Sequence, residues 1–337
     1  MTLEDEKRPS PIKDAPAENF SSGNRTLDLS REFGDKQSGK VWDFWTRDGV
    51  RVMFASDRKS SYDVPVGIIE GTGTALSRMT FFWKSWTRNI MANDLISSPN
   101  PNILIVEEAE KVLPVEIVWR SHLEESYTLT SLHHNYFNLG RRKINGFDFP
   151  DGLVPNQELP MGPILTPTTK AKTGHDKELT LDDARDIVDS EFGEGTWDEV
   201  VKNTEALFET GRIMYKRKGI LMTSTKYEVG RKRDGSMILI DEVHTSDSSR
   251  LVVAGTYGEH FERGEDLDHL DKELLRRYLE QLGFTGEGMV PVLSKDIKRT
   301  VKEAYGKAYF MLSGKRLPVF PTLQEVEQDV INYFEGN

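Results

Sequence analysis

Apolar and polar positions follow two different periods along this chain, and the places where the period changes mark its elements. Three short β-rich runs, over 51–55, 103–107 and 115–120, read as strands. Between the first two, residues 75–95 carry Leu76, Met79, Phe82, Trp83, Trp86 and Ile90 at helical spacing, which predicts a helix. From about 121 to 178 both periods disappear. Pro150, Pro155, Pro160, Pro163 and Pro167, with many Gly and Asn, predict a long loop-rich region of the kind that usually carries function or lacks fixed order. Thr196 then opens a second long helix, with Glu199 completing a capping box. Trp197, Val200, Val201, Leu207 and Phe208 form its apolar stripe, and Lys216–Lys218 with Gly219 form its end. Shorter helices are predicted over 181–191, 271–282, 295–313 and 323–334, the last capped by Thr322 and Glu325. Residues 1–36 are polar, show neither period and read as a mobile tail.

The pattern is that of an α+β protein, and 337 residues suffice for two lobes around a real core. The lobes are expected over 37–112 and 113–318, followed by a helical extension over 319–337. Composition narrows the chemistry. Asp and Glu outnumber Lys and Arg by 55 to 44, and a net charge of −11 argues against a nucleic-acid partner. No apolar run approaches ~18 residues, so no membrane-spanning helix is expected. The opening MTLEDEKRPSPIKD lacks an apolar h-region, so no secretory signal is expected and the location read from the sequence is cytoplasmic. The chain has no cysteine, which removes disulfides, thiolate metal sites, iron–sulfur clusters and a thiol nucleophile.

Common catalytic signatures are missing. There is no Walker-type phosphate loop, no H-E-x-x-H and no nucleophile elbow, and Gly71-Thr72-Gly73 lacks the third glycine of a dinucleotide fingerprint. The densest polar constellation spans 219–250, where two β-rich runs flank Asp234-Gly235, a favoured hairpin dipeptide. A two-residue turn centred there would pair Arg233 with Ser236, Glu228 with Asp241 and Lys226 with Val243. Ser224, Lys226 and Glu228 would then share one face. Two carboxylates directly opposed on a sheet repel each other, so either solvent screens them or a cation lies between them. Two oxygen ligands with open positions for phosphate and water suit Mg²⁺. Asp247, Ser248, Ser249 and Arg250 follow as a phosphate-grip candidate. Two more loops fit anions: 56–63, directly after a strand, and 166–176, with Lys170, His175 and Asp176. Taken singly, each is also an ordinary hydrophilic loop.

In this order, GKV-x-D (39–43), SDRKSSYD (56–63), PVEIVWR (114–120), TPTTKAKTGHD (166–176), TKYEVG (225–230) and IDEVHTSDSSR (240–250) resemble the SAICAR synthetase family over about 39–314. The resemblance implies a two-lobed α+β fold with a β-rich N-terminal lobe. It also implies an ATP- and Mg²⁺-dependent ligase that joins L-aspartate to carboxyaminoimidazole ribotide through an acyl phosphate, in purine biosynthesis. It places Gly39 and Lys40 on a hairpin over the ATP phosphates, with Glu116 and Asp241 also at ATP. Glu228 and Asp241 become metal-linked carboxylates, and Lys226 joins them as a catalytic residue. Arg120, Ser126 and Arg250 match positions gripping the ribotide phosphate, with Ser249 nearby. Ser60, Asp63, Lys170, His175, Asp176 and Asp247 fall in segments lining the nucleotide and substrate sites.

The chain also departs from the family. Ser224 stands where an Asp is usual, Trp42 replaces an Arg, Thr72 a Lys and Ser246 a Pro. Leu251-Val252 replaces an aromatic pair, and Ser121-His122-Leu123-Glu124-Glu125-Ser126 replaces Gly-Tyr-Leu-Thr-Gly-Ser. Two added carboxylates beside a phosphate site are expected to disfavour anion binding. Two other readings therefore stand beside the ribotide ligase: a paralogue applying the same chemistry to another carboxylate or amine, and a non-catalytic nucleotide-binding relative. Neither reading requires a membrane, and homo-oligomerisation is left open.

Overall fold

In a computed structural model, residues 27–126, 128–170 and 176–336 are described. A one-turn helix α1 (Ser30–Phe33) precedes β1 (Gln37–Ser38), β2 (Trp42–Arg47) and β3 (Val50–Ala55). The ribbon β4 (Arg58–Ser61)–β5 (Val64–Ile68), helix α2 (Thr72–Thr87), β6 (Leu95–Ser97) and β7 (Ile103–Glu107) follow. The strands form an antiparallel sheet in the order β1-β2-β3-β7-β6. The second part begins with β8 (Lys111–Val112) and β9 (Val115–Arg120). A loop-rich stretch then carries β10 (Lys143–Ile144), β11 (Phe147–Asp148), β12 (Ile164–Leu165) and β13 (Thr168–Thr169). Helices α3 (Leu181–Phe192) and α4 (Thr196–Arg217) lead into β14 (Ile220–Arg231), β15 (Met237–Ile240) and β16 (Ser249–Val253). Helices α5 (Ala254–Arg263), α6 (Glu273–Gln281), α7 (Lys295–Ser313) and α8 (Leu323–Glu335) complete the chain. None of these helices is long and apolar enough to cross a membrane.

Strand β14 is the spine of the larger sheet. It pairs with β9 and β16 along its first half and with β15 and β8 along its second. One face of that sheet buries Ile117, Trp119, Met222, Tyr227 and Leu239 against Val188, Trp197, Leu207 and Phe208 of α3 and α4. The N-terminal sheet is covered on both faces. Met53 and Leu104 meet Leu76 of α2, Leu275 of α6 and Val301 and Tyr305 of α7. Trp45, Phe54 and Ile105 on the other face meet Val326 and Val330 of α8. The middle stretch has a small core of its own, built from Leu123, Tyr136, Ile144, Phe149, Leu159 and Ile164.

The strands expected over 103–107 and 115–120 are β7 and β9, and the one expected over 51–55 begins one residue earlier. The helix expected over 75–95 stops at Thr87 because Asn93 Nδ2 donates to the Lys84 carbonyl at 2.8 Å and the chain turns back into β6. Thr322 and Glu325 do form a capping box. Thr196 instead lies inside α4, whose cap is left-handed Gly195.

Gly71-Thr72-Gly73 has a packing role. Asp57 Oδ1 accepts from the backbone N–H of Gly71 and of Gly73, both at 3.0 Å, and so caps α2. A Cβ on Gly73 would lie 2.6 Å from the Ala55 carbonyl oxygen and 2.7 Å from the Ser56 carbonyl carbon, both rigid backbone. Gly73→Ala is therefore expected to cost about 3 kcal/mol, read as a lowered urea midpoint at unchanged slope. A cost below half that would mean that α2 can shift away from β3.

Candidate functional site

Strand alternation sets Ser224, Lys226 and Glu228 on one face of β14, and three polar clusters gather along that face and its borders. The first surrounds Lys226. Its Nζ is 2.7 Å from Glu116 Oε1 on β9 and 3.3 Å from Glu228 Oε1, while Glu228 also ion-pairs with Lys170. Burial would push the Lys226 pKa down, but Glu116, Glu228 and Asp241 outweigh it and hold the ammonium protonated. Burial likewise opposes ionisation of Glu228, and Lys226 and Lys170 overcome it, leaving that carboxyl below its ordinary range.

The hairpin register differs from the expected one. Lys232 N donates to Ser236 O at 2.9 Å, so the turn holds three residues, with Gly235 in the left-handed region at φ 89°. Glu228 therefore faces Ile240 and not Asp241. Asp241 lies just past the strand end at φ 56°, so strand alternation no longer governs its side chain. Its carboxyl still feels Glu228. Burial, then Glu228 and Glu242, lift its pKa to about 7 against the pull of Lys226 and Lys84.

The second cluster lies where Ser224 pairs with Arg120 of β9 on one side and Arg250 of β16 on the other. Arg120 Nε donates to Thr166 Oγ1 at 3.0 Å, and its Nη1 is 3.3 Å from Glu124 Oε2. Arg250 Nε is 3.4 Å from Glu273 Oε2, and burial raises the Glu273 pKa to about 7 despite that arginine. Ser249 Oγ lies 2.8 Å from Thr225 Oγ1 on the neighbouring strand. Ser126 Oγ lies 3.2 Å from Thr128 Oγ1 at the end of the following loop. Glu125 pairs with Arg277 at 2.9 Å, so both added carboxylates of this loop have arginine partners.

The third cluster joins the β1–β2 and β4–β5 turns to the segment after β15. Arg58 grips Asp43 through both oxygens, at 2.6 and 3.1 Å, and donates to the Gly39 carbonyl at 3.2 Å, fixing the β1–β2 turn. Residues Tyr62 and Asp63 form the β4–β5 turn, with φ of 52° and 63°, and Asp63 ion-pairs with Lys40 of the first turn. Fully buried Lys59 lies 2.5 Å from Asp247 Oδ1 and 2.9 Å from the Tyr305 hydroxyl. Burial opposes ionisation of Asp247, but Lys59 and Lys272 bring its pKa down to about 2. Lys272 Nζ is 3.4 Å from Ser60 Oγ. Burial, reinforced by Lys59 and Lys40, lowers its pKa to about 8. Trp42 Nε1 donates to Glu242 Oε1 at 2.8 Å, so the indole binds a buried carboxylate.

The structure thus gathers Glu116, Lys170, Lys226, Glu228 and Asp241 in one place and Arg120 and Arg250 in another, whereas Ser249, paired with Thr225, turns its hydroxyl to the opposite, core-facing side of the sheet. Ser60 and Asp247 lie in the third cluster, with Gly39, Lys40 and Asp63 at its border. His175 lies outside the described residues, and Asp176 directly follows that segment. The next residue, Lys177, returns to β13 through two 2.9 Å hydrogen bonds with Thr169. Sequence reasoning missed Lys59, Lys272 and Tyr305, and it read Glu124 only as a charge that disfavours anions. Lys59 stands inside the SDRKSSYD motif, so only its burial was hidden. Lys272 and Tyr305 lie on helical segments where a charge or hydroxyl reads as solvent-facing.

The family model for SAICAR synthetase matches residues 35–291. The chain is 35% identical over 294 residues to the chloroplastic phosphoribosylaminoimidazole-succinocarboxamide synthase of Arabidopsis thaliana, covering 87% of this chain and 70% of that one. It is 32% identical over 289 residues to the synthase of that name from Legionella pneumophila (strain Lens), covering 86% and 90%. Its fold matches a solved SAICAR synthase from Saccharomyces cerevisiae, complexed with SAICAR, at a TM-score of 0.70 and 26% identity over 86% of this chain and 98% of that one.

Proposed function

This chain belongs to the SAICAR synthetase family and is an ATP-dependent amide-forming ligase of purine biosynthesis, and from that premise we propose that its β14 face joins L-aspartate to carboxyaminoimidazole ribotide through an acyl phosphate. A carboxylate is a poor acyl donor because its oxygen is a poor leaving group. Transfer of the ATP γ-phosphoryl to that oxygen gives ADP and a mixed anhydride. The neutral amine of aspartate then attacks the carbonyl carbon, phosphate leaves with the C–O electron pair, and the nitrogen loses a proton to give the amide. Little of this requires covalent help from the protein, so positioning and charge stabilisation dominate.

The residues divide the work by charge. Lys226, held protonated between Glu116 and Glu228, faces the developing phosphoryl charge, and Lys40 on its Arg58-braced turn covers the nucleotide phosphates. Arg120 and Arg250, with Ser126, hold the ribotide phosphate. Ser60, Asp63, Lys170 and Asp176 line the remaining substrate wall. Asp247 serves that wall indirectly, as the counter-ion of Lys59 and Lys272.

The donor set fits a divalent cation. A carboxyl lifted to about 7 by burial and two acidic neighbours is one that a cation would relieve, and Asp241 is that carboxyl. No three acidic or His side chains among the described residues converge as an all-protein cage. Glu228 and Asp241 would therefore hold Mg²⁺ with phosphate oxygens and water completing its shell, as that ion prefers. When bound, the ion offsets phosphate charge.

The observation that carries this reading is Asp241 beside Glu228 and Lys226 at the end of the β14–β15 ribbon. Incubation with ATP, Mg²⁺, aspartate and carboxyaminoimidazole ribotide should release ADP and SAICAR in equal amounts. ADP release only with another carboxylate–amine pair would replace the ribotide in this reading. Failure to bind MgATP at millimolar concentration would end it.

A further inference from the structure

Position 224 is flanked across the sheet by two arginines, Arg120 and Arg250, one on each neighbouring strand. Two guanidinium groups so placed repel each other and need an anion between them. The strand offers only the hydroxyl of Ser224, and the carboxylate arrives from elsewhere. Glu124, four residues past Arg120 on the loop after β9, accepts from Ser224 Oγ at 2.8 Å through Oε2 and from Thr223 Oγ1 through Oε1. The same carboxylate pairs with Arg120 at 3.3 Å, and its charge also reaches Arg250, less strongly than those of Asp271 and of Glu273, which pairs with Arg250 from the other side at 3.4 Å. Glu124 further lines a small cleft with His122, Asn156, Arg250 and His269.

We propose that Glu124 is a positioning residue for the phosphorylated sugar of the substrate: its loop-borne carboxylate, relayed through Ser224, sets the Arg120–Arg250 pair. This rests on the reading that those arginines hold the ribotide phosphate. Ser224 and the 121–126 loop then act as one device, the loop supplying the anion that the strand position between the two arginines lacks. The added acid at 124 supports anion binding, where charge alone would oppose it.

A rescue experiment tests this. Glu124→Ala should raise the ribotide KM at least tenfold, with the ATP KM within twofold, because Arg120 loses its carboxylate partner and the pair keeps only the anion on the Arg250 side. Adding Ser224→Asp places a carboxylate on the strand between the two arginines and should bring the ribotide KM back to within about threefold of wild type. Glu124→Gln keeps the shape and the hydrogen-bond acceptor but not the charge, and should raise the ribotide KM without unfolding the protein. A double variant no better than Glu124→Ala, or an unchanged ribotide KM in Glu124→Gln, overturns the proposal while wild-type turnover keeps the ligase reading intact. If wild type does not consume the ribotide at all, the ligase reading fails, and this proposal with it.

Discussion

Asp241→Asn should lower turnover on the order of 10³-fold while leaving the fold intact. The substitution keeps the size of the side chain and removes one of two carboxylates that would hold a cation beside the nucleotide. Stability should move the other way. In the ion-free protein Asp241 has its pKa raised to about 7 by burial and by Glu228 and Glu242, against an ordinary value near 3.8. A carboxyl whose folded pKa is raised binds its proton more tightly in the native state, so wild-type stability falls as pH rises from about 4 through about 7. Asn has no proton to lose. Thermal unfolding in EDTA from pH 5 to 8 should therefore show wild type losing stability relative to the variant, with the gap widest at pH 8. Turnover near the wild-type level would remove Asp241 from the metal-linked pair.

Asp247→Ala should destabilise the protein by about 3–5 kcal/mol, because it leaves Lys59 charged, fully buried and without its carboxylate. Most of that cost comes from the abandoned charge. Replacing both partners, with Lys59→Met and Asp247→Leu, should recover the larger part of it. Equilibrium urea unfolding of the two variants separates the effects, and equal losses in both would mean that packing, not charge, sets the cost. The pH dependence has the opposite sign to that of Asp241. Lys59 and Lys272 depress the folded-state pKa of Asp247 to about 2, so its contribution is present above about 4 and disappears as pH falls towards 2.

These two acids show why one part of the site was legible in the sequence and another was not. Glu228, Asp241 and Lys226 lie within one hairpin, where alternation and turn chemistry are local, and a one-residue error in turn length still left them neighbours. The reason is backbone geometry: left-handed Asp241 leaves the strand, so the register that fails for its backbone does not carry its carboxyl away. Asp247 reads from the sequence as a phosphate-loop residue because its neighbours are Ser and Arg. Its partner Lys59 is 188 positions away, and nothing local announces that the pair is buried.

By itself the sequence determined the α+β class, three strand positions, the course of α3, α4, α7 and α8, and the order of motifs that marks the family. Each depends on side-chain period, capping or short-range turn preference, all of which act within a few residues. The tertiary structure decided which charges neutralise which. It joined Trp42 to Glu242, Arg58 to Asp43, Lys59 to Asp247 and Glu124 to the strand bearing Ser224. Those choices follow from desolvation, which makes an unpaired charge costly only once distant segments have packed and excluded water.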